Sequence, residues 1–167
     1  KAVARRAAGF DMRLLAYNPI MTPEEAASVN TNLVDFDTLL RESDFISIHT
    51  PLTPQTRGLF NRETLAKMKP TAILVNTARG PIVDPDALYN ALRQGVIFAA
   101  GLDVFDPEPI PANHPLLKLP NFVITPHIAS ASKHTRILMA RMAAENILAG
   151  LSDLPLPYCV NPQIYSK

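Results

Sequence analysis

The pattern that most limits how this chain can fold is an alternation. Four short apolar runs, near residues 46, 73, 98 and 123, each stop abruptly at small or polar residues, and helix-forming segments lie between them. Near-continuous apolar runs of this length suit strands covered on both faces. Phe45-Ile46-Ser47-Ile48, 72–75, 96–101 and 121–124 are the predicted strands. Helices are expected over 35–41, 61–68, 84–94 with Gly95 at its end, and 132–149 closed by Gly150. Strands separated by helices along the whole length predict an α/β fold built on a doubly wound parallel sheet. Upstream, 1–8 favours a helix that Gly9 would cap. A strand at 13–17 ends in Asn18-Pro19, and Thr22 can cap a short helix with Pro23 at its first position. The chain therefore opens on the second half of a βαβ unit. Leu154-Pro155-Leu156-Pro157 reads as an extended tail.

In an open α/β sheet, ligands sit beyond the carboxyl ends of the strands. Thr50, Arg79, Asp103 and His127 all follow predicted strands, so one sheet edge can gather them although they are far apart in sequence. Arg79 is the leading candidate for a substrate contact, because its planar, permanently charged guanidinium can pair bidentately with a carboxylate. An isolated Arg in such a loop otherwise serves as a solvated surface charge. His127 follows a stiff Thr-Pro turn, a placement that fixes an imidazole as a general acid or base. Glu108, between Pro107 and Pro109, could present a carboxylate to that imidazole and favour its protonated form. Taken alone, a histidine in such a chain is more often structural, and a glutamate between prolines is usually solvated.

Composition removes other classes. The chain has 167 residues, a net charge of +1 and 47% hydrophobic residues. It has no basic run, so nucleic acid and membrane surfaces are not expected partners. The single Cys159 allows no internal disulfide and fits a reducing, cytoplasmic compartment. No HExxH pattern or His/Cys/carboxylate spacing supports a metal site, and Ser130 and Ser132 lack the GxSxG elbow of a serine nucleophile.

Val75-Asn76-Thr77-Ala78-Arg79-Gly80, Gly101-Leu102-Asp103-Val104-Phe105 running on to Glu108-Pro109, and Thr125-Pro126-His127, together with His49-Thr50-Pro51-Leu52, resemble the D-isomer-specific 2-hydroxyacid dehydrogenases, a family that includes glyoxylate, hydroxypyruvate and phosphoglycerate dehydrogenases. These motifs cover nearly the whole chain. The resemblance implies a Rossmann-like domain and hydride exchange between a nicotinamide and a small 2-oxo or 2-hydroxy acid. Arg79 would bind the substrate carboxylate and carbonyl, His127 would act as acid and base, and Glu108 would pair with His127. Thr50 and Pro51 would lie against the cofactor, Thr77 and Ala78 beside the nicotinamide or its ribose, and Asp103 near the carboxamide. The short Ala129 and Ser130 would leave room for the ring. A homodimer is implied, with Ile137, Leu138, Met139 and Met142 as an apolar stripe that could otherwise pack on the sheet.

Two departures from the family pattern matter. The first strand and the GxGxxG turn that carries the pyrophosphate would precede Lys1. On this reading 1–150 is a partial dinucleotide-binding domain, 151–167 is a tail returning toward a substrate domain outside these residues, and the fragment alone is inactive. Second, Asn18 stands where NAD-dependent members carry an Asp for the adenosine ribose, and no Arg follows in 19–22. NAD is expected, with NADP as the alternative. A nucleotide-sensing binding protein, like the corepressors that resemble this family, is the competing function.

Overall fold

A computed structural model describes residues 1–165. The chain divides into two compact units, 1–126 and 127–167. The first holds the strands β1 (Leu15–Ala16), β2 (Asn32–Leu33), β3 (Phe45–Ile48), β4 (Ile73–Asn76), β5 (Ala99–Leu102) and β6 (Phe122–Ile124). Its helices are α1 (Ala2–Ala7), α2 (Pro23–Ala27), α3 (Phe36–Glu42), α4 (Arg62–Leu65) and α5 (Pro85–Arg93), and the second unit holds α6 (Lys133–Leu151). Every strand pair is parallel: β1 with β2, and β3-β4-β5-β6 in sequential order.

The core is a set of rungs across the larger sheet. Ile46, Leu74, Ala100 and Phe122 are in register and all buried. One period further along, Ile48, Asn76 and Leu102 form a second buried rung that Ile124 continues. Side chains alternate between the faces of a strand, so these two rungs lie on one face. Leu40 of α3, Leu65 of α4 and Leu88 and Leu92 of α5 join the same cluster. Buried leucines of this kind contribute roughly 2 kcal/mol each through area removed from water.

Local chemistry explains the helix starts. Thr22 and Glu25 form a capping box on α2, Asp35 accepts from the Thr38 N–H at 2.8 Å, and Asp84 accepts from the Asp86 and Ala87 N–H groups at 2.9 and 3.0 Å. Gly95, at φ +68°, follows α5 in the left-handed conformation that a helix end favours.

Several boundaries differ from the sequence expectation. Gly9 does not cap α1: the chain tightens into a 3-10 turn, and Asp11, at φ 53°, takes the left-handed position. Gly150 lies inside α6, whose last residue is Leu151. The run at 96–101 yields a strand only from residue 99, because the Val96 N–H is taken by the Ala91 carbonyl at the end of α5. β2 has no apolar run of its own. Its Asn32 N–H is held by Leu14 O at 2.9 Å, a tertiary pairing that periodicity could not reveal.

In the second unit, Ser132 caps α6 by accepting from the Thr135 N–H at 3.1 Å. Asn146 fastens the tail to this helix, accepting from the Tyr158 N–H at 3.0 Å and donating to the Tyr158 carbonyl at 3.3 Å. The helix buries none of its side chains. Of the apolar stripe, Ile137, Leu138 and Met139 are exposed and Met142 is half-buried.

Candidate active site

The predicted residues of the first unit sit at the carboxyl ends of its strands. Thr50 and Pro51 follow β3, Thr77, Ala78 and Arg79 follow β4, and Asp103 follows β5. β3, β4 and β5 end in register at Ile48, Asn76 and Leu102, so their three exits form one row. Thr50, Thr77 and Ala78 are small, which leaves backbone room for a flat group along that row.

The β4 exit is tightly built. Asn76 is fully buried; its Oδ1 accepts from the Ala78 N–H at 3.0 Å and its Nδ2 donates to the Arg79 carbonyl at 2.9 Å. Arg79 is extended at φ −146°, and its exposed guanidinium donates through Nη1 to the Ala78 carbonyl at 2.6 Å. Gly80 then passes so close to Phe105 that an added Cβ would stand 2.0 Å from the Phe105 carbonyl oxygen. Only glycine fits there.

Neighbouring exits are fastened to this one. The Asp103 N–H donates to the Asn76 carbonyl at 2.9 Å, and the Thr125 hydroxyl donates to the Asp103 carboxylate. Asp103 is buried, 5% exposed, so its carboxyl group is held in place and not left to solvent. Glu108 is exposed and accepts from the Phe105 N–H at 3.0 Å. Arg79 therefore lies on the β4 exit and Asp103 and Glu108 on the β5 exit, two interlocked loops of one unit.

Asn18 lies elsewhere in that unit, two residues past β1. It is half-buried, and its Oδ1 accepts from the Ile20 N–H at 3.0 Å. His127, Ala129 and Ser130 belong to the second unit and are exposed; His127 has the left-handed backbone, φ 53°. A non-glycine residue in that conformation is uncommon and marks a backbone held by its surroundings. The sequence reading assigned Asn76 no role. The available signal was its place in the period-2 pattern, where Ala72, Leu74 and Asn76 all fall on buried positions.

Residues 1–129 match the family described as D-isomer specific 2-hydroxyacid dehydrogenase, NAD binding domain. The chain belongs to this family. Among its dehydrogenase relatives, the glyoxylate reductase of Korarchaeum cryptofilum is 51% identical over 163 residues, covering 98% of this chain and 49% of the relative. The glyoxylate/hydroxypyruvate reductase B of Enterobacter agglomerans is 53% identical over 165 residues, 98% of this chain and 51% of the relative. The crystal structure of D-lactate dehydrogenase with NAD+ from Lactobacillus jensenii superposes with a TM-score of 0.86 at 35% identity, over 95% of this chain and 51% of that one. The fold is thus the Rossmann-like one of a 2-hydroxyacid dehydrogenase, and its cofactor is NAD. The chain spans about half the length of the curated relatives it matches. Among the described residues no helix is long and apolar enough to cross a membrane, and no three His, Cys, Asp or Glu side chains gather as a metal site.

Proposed function

We propose that the intact protein carrying this chain reduces a small 2-oxo acid, such as glyoxylate or hydroxypyruvate, to the D-2-hydroxy acid. The observation that carries the reading is the β4 exit, where Arg79 stands on a clamped loop in a family of 2-hydroxyacid dehydrogenases. Bound NADH supplies the hydride. The Arg79 guanidinium binds the substrate carboxylate and polarises the carbonyl beside it, charge against charge in a site that a flat ring would make mostly apolar. His127 donates a proton to the carbonyl oxygen as it gains negative charge and takes it back in the reverse direction. Glu108 pairs with His127 and favours the imidazolium.

On the cofactor side, Thr50 and Pro51 lie against the cofactor, Thr77 and Ala78 beside the nicotinamide or its ribose and Asp103 near the carboxamide, while the short Ala129 and Ser130 leave room for the ring. Asn18 binds the adenosine ribose. An uncharged amide there does not repel a 2′-phosphate, and 19–22 offer no arginine to hold one, so NADPH is accepted as the weaker substrate. The protein acts as a homodimer, a reading supported by the exposed Ile137, Leu138 and Met139.

The test is loss of absorbance from NADH, and separately NADPH, with glyoxylate, hydroxypyruvate and pyruvate. Turnover should be abolished by His127→Ala. Absence of turnover with every pair, alongside nucleotide-dependent capture of a protein partner, would replace the enzyme with a nucleotide-sensing binding protein. Light scattering of the same preparation measures the dimer.

A further inference from the structure

We propose that Asn76 is a positioning residue that fixes the origin of the Arg79 side chain, and so sets affinity for the substrate carboxylate. The inference rests on the reading of Arg79 as the carboxylate partner. Asn76 occupies a core position. Its rung neighbours Ile48 and Leu102 are buried and apolar, the preceding same-face residue of its own strand is Leu74, and the amide itself is fully buried. Pattern alone would place an aliphatic residue there. Burying an amide is costly unless its polar atoms are satisfied, and Asn76 directs both ends of its amide to the loop it precedes.

Those two bonds bracket Arg79. One holds the N–H of the residue before it, and the other holds the carbonyl of Arg79 itself. Gly80 then abuts the Phe105 backbone, so the segment is pinned at its far end too. A guanidinium sits on a long, rotamer-rich stem, and its reach to a small anion is reproducible only if the backbone that launches it does not move. No other polar side chain lies in either buried rung, so an aliphatic replacement would leave the Arg79 carbonyl and the Ala78 N–H without these partners.

The experiment uses the intact protein with NADH bound and measures the dissociation constant of oxamate, a non-reacting 2-oxo acid analogue. Asn76→Ser keeps an oxygen near the Ala78 N–H but removes the donor to the Arg79 carbonyl. Oxamate binding is expected to weaken about tenfold, with KM for the 2-oxo acid rising in parallel, while NADH affinity stays within about twofold and kcat within about threefold. Arg79→Ala should weaken oxamate more, and Asn76→Ser added to Arg79→Ala should have no further effect beyond about twofold, because Asn76 acts only through that side chain.

Unchanged oxamate binding in Asn76→Ser, or full additivity in the double variant, overturns the inference and leaves the carboxylate role of Arg79 standing. Unchanged binding in Arg79→Ala overturns both. Should Asn76→Ser fail to fold, hydrogen exchange of the unsubstituted protein still decides: the Ala78 amide should exchange at least about tenfold slower than in an unstructured peptide, and exchange at the peptide rate overturns the clamp.

Discussion

The exits of β4 and β1 use the same device with opposite results. At each, an asparagine Oδ1 accepts from the backbone N–H two residues on, at 3.0 Å in both places. Asn76 is fully buried and spends its Nδ2 on the loop as well, whereas Asn18 is half-buried ahead of the exposed Pro19 and Ile20. An Asx turn alone gives a local preference; burial turns it into a fixed support, since the amide then has no water to fall back on. The loop that carries Arg79 is thus held by two bonds from a buried amide, and the loop after Asn18 by one bond from a half-buried side chain.

The contrast can be broken most severely at Gly80. Gly80→Ala places a methyl group into the Phe105 backbone, and urea denaturation should show a loss of about 4 kcal/mol or outright failure to fold. The paired substitution is next. Asn76→Asp buries a carboxylate against the Arg79 carbonyl and should cost about 3 kcal/mol, while Asn18→Asp should stay within about 0.5 kcal/mol in the same denaturation series. Similar losses at the two positions would erase the distinction. Asn18→Asp should instead raise selectivity for NADH over NADPH about tenfold, read from the ratio of kcat/KM values, through repulsion of the 2′-phosphate.

Smaller effects belong to the helix start after β1. Thr22→Ala removes half of the α2 capping box and should cost about 1 kcal/mol in thermal unfolding. The Lys1 ammonium and the Thr22 N–H hold the Glu25 carboxyl below its ordinary value of 4.5. A depressed carboxyl stabilises the fold above its unfolded value, so this contribution fades as pH falls below about 4.5. Protection from hydrogen exchange at 23–27, taken relative to the intrinsic rate at each pH, should fall over that range, and replacing Glu25 by Gln should flatten the response.

The alternation of apolar runs and helix starts made the larger sheet legible, because burial on both faces leaves a sequence mark. Thr22 announced α2 through capping chemistry that is purely local, and the helices expected from Asp35, Asp84 and Ser132 begin one residue later because those three side chains serve as caps. β2 and the true start of β5 were not legible, since each depends on which backbone groups a distant or preceding segment claims first. Topology placed Thr50, Arg79 and Asp103 beyond the ends of neighbouring strands, and β3, β4 and β5 do end in register. The clamp behind Arg79 was legible only in part: the period-2 pattern of Ala72 and Leu74 puts Asn76 on the buried face, but nothing in 76–80 says where its amide bonds or that Phe105 lies against Gly80.

The register of Ile48, Asn76 and Leu102 works as a ruler. Adjacent parallel strands stand about 4.8 Å apart, so the graduations of the site are set by the sheet and not by the helices that join its strands. Lengthening a connecting helix leaves the marks where they are. Inserting one residue within β4 would turn Asn76 to the other face and carry the arginine with it. The crossovers can therefore change in length without moving the charged group, whose address is kept by the strand register and by the contact at Gly80.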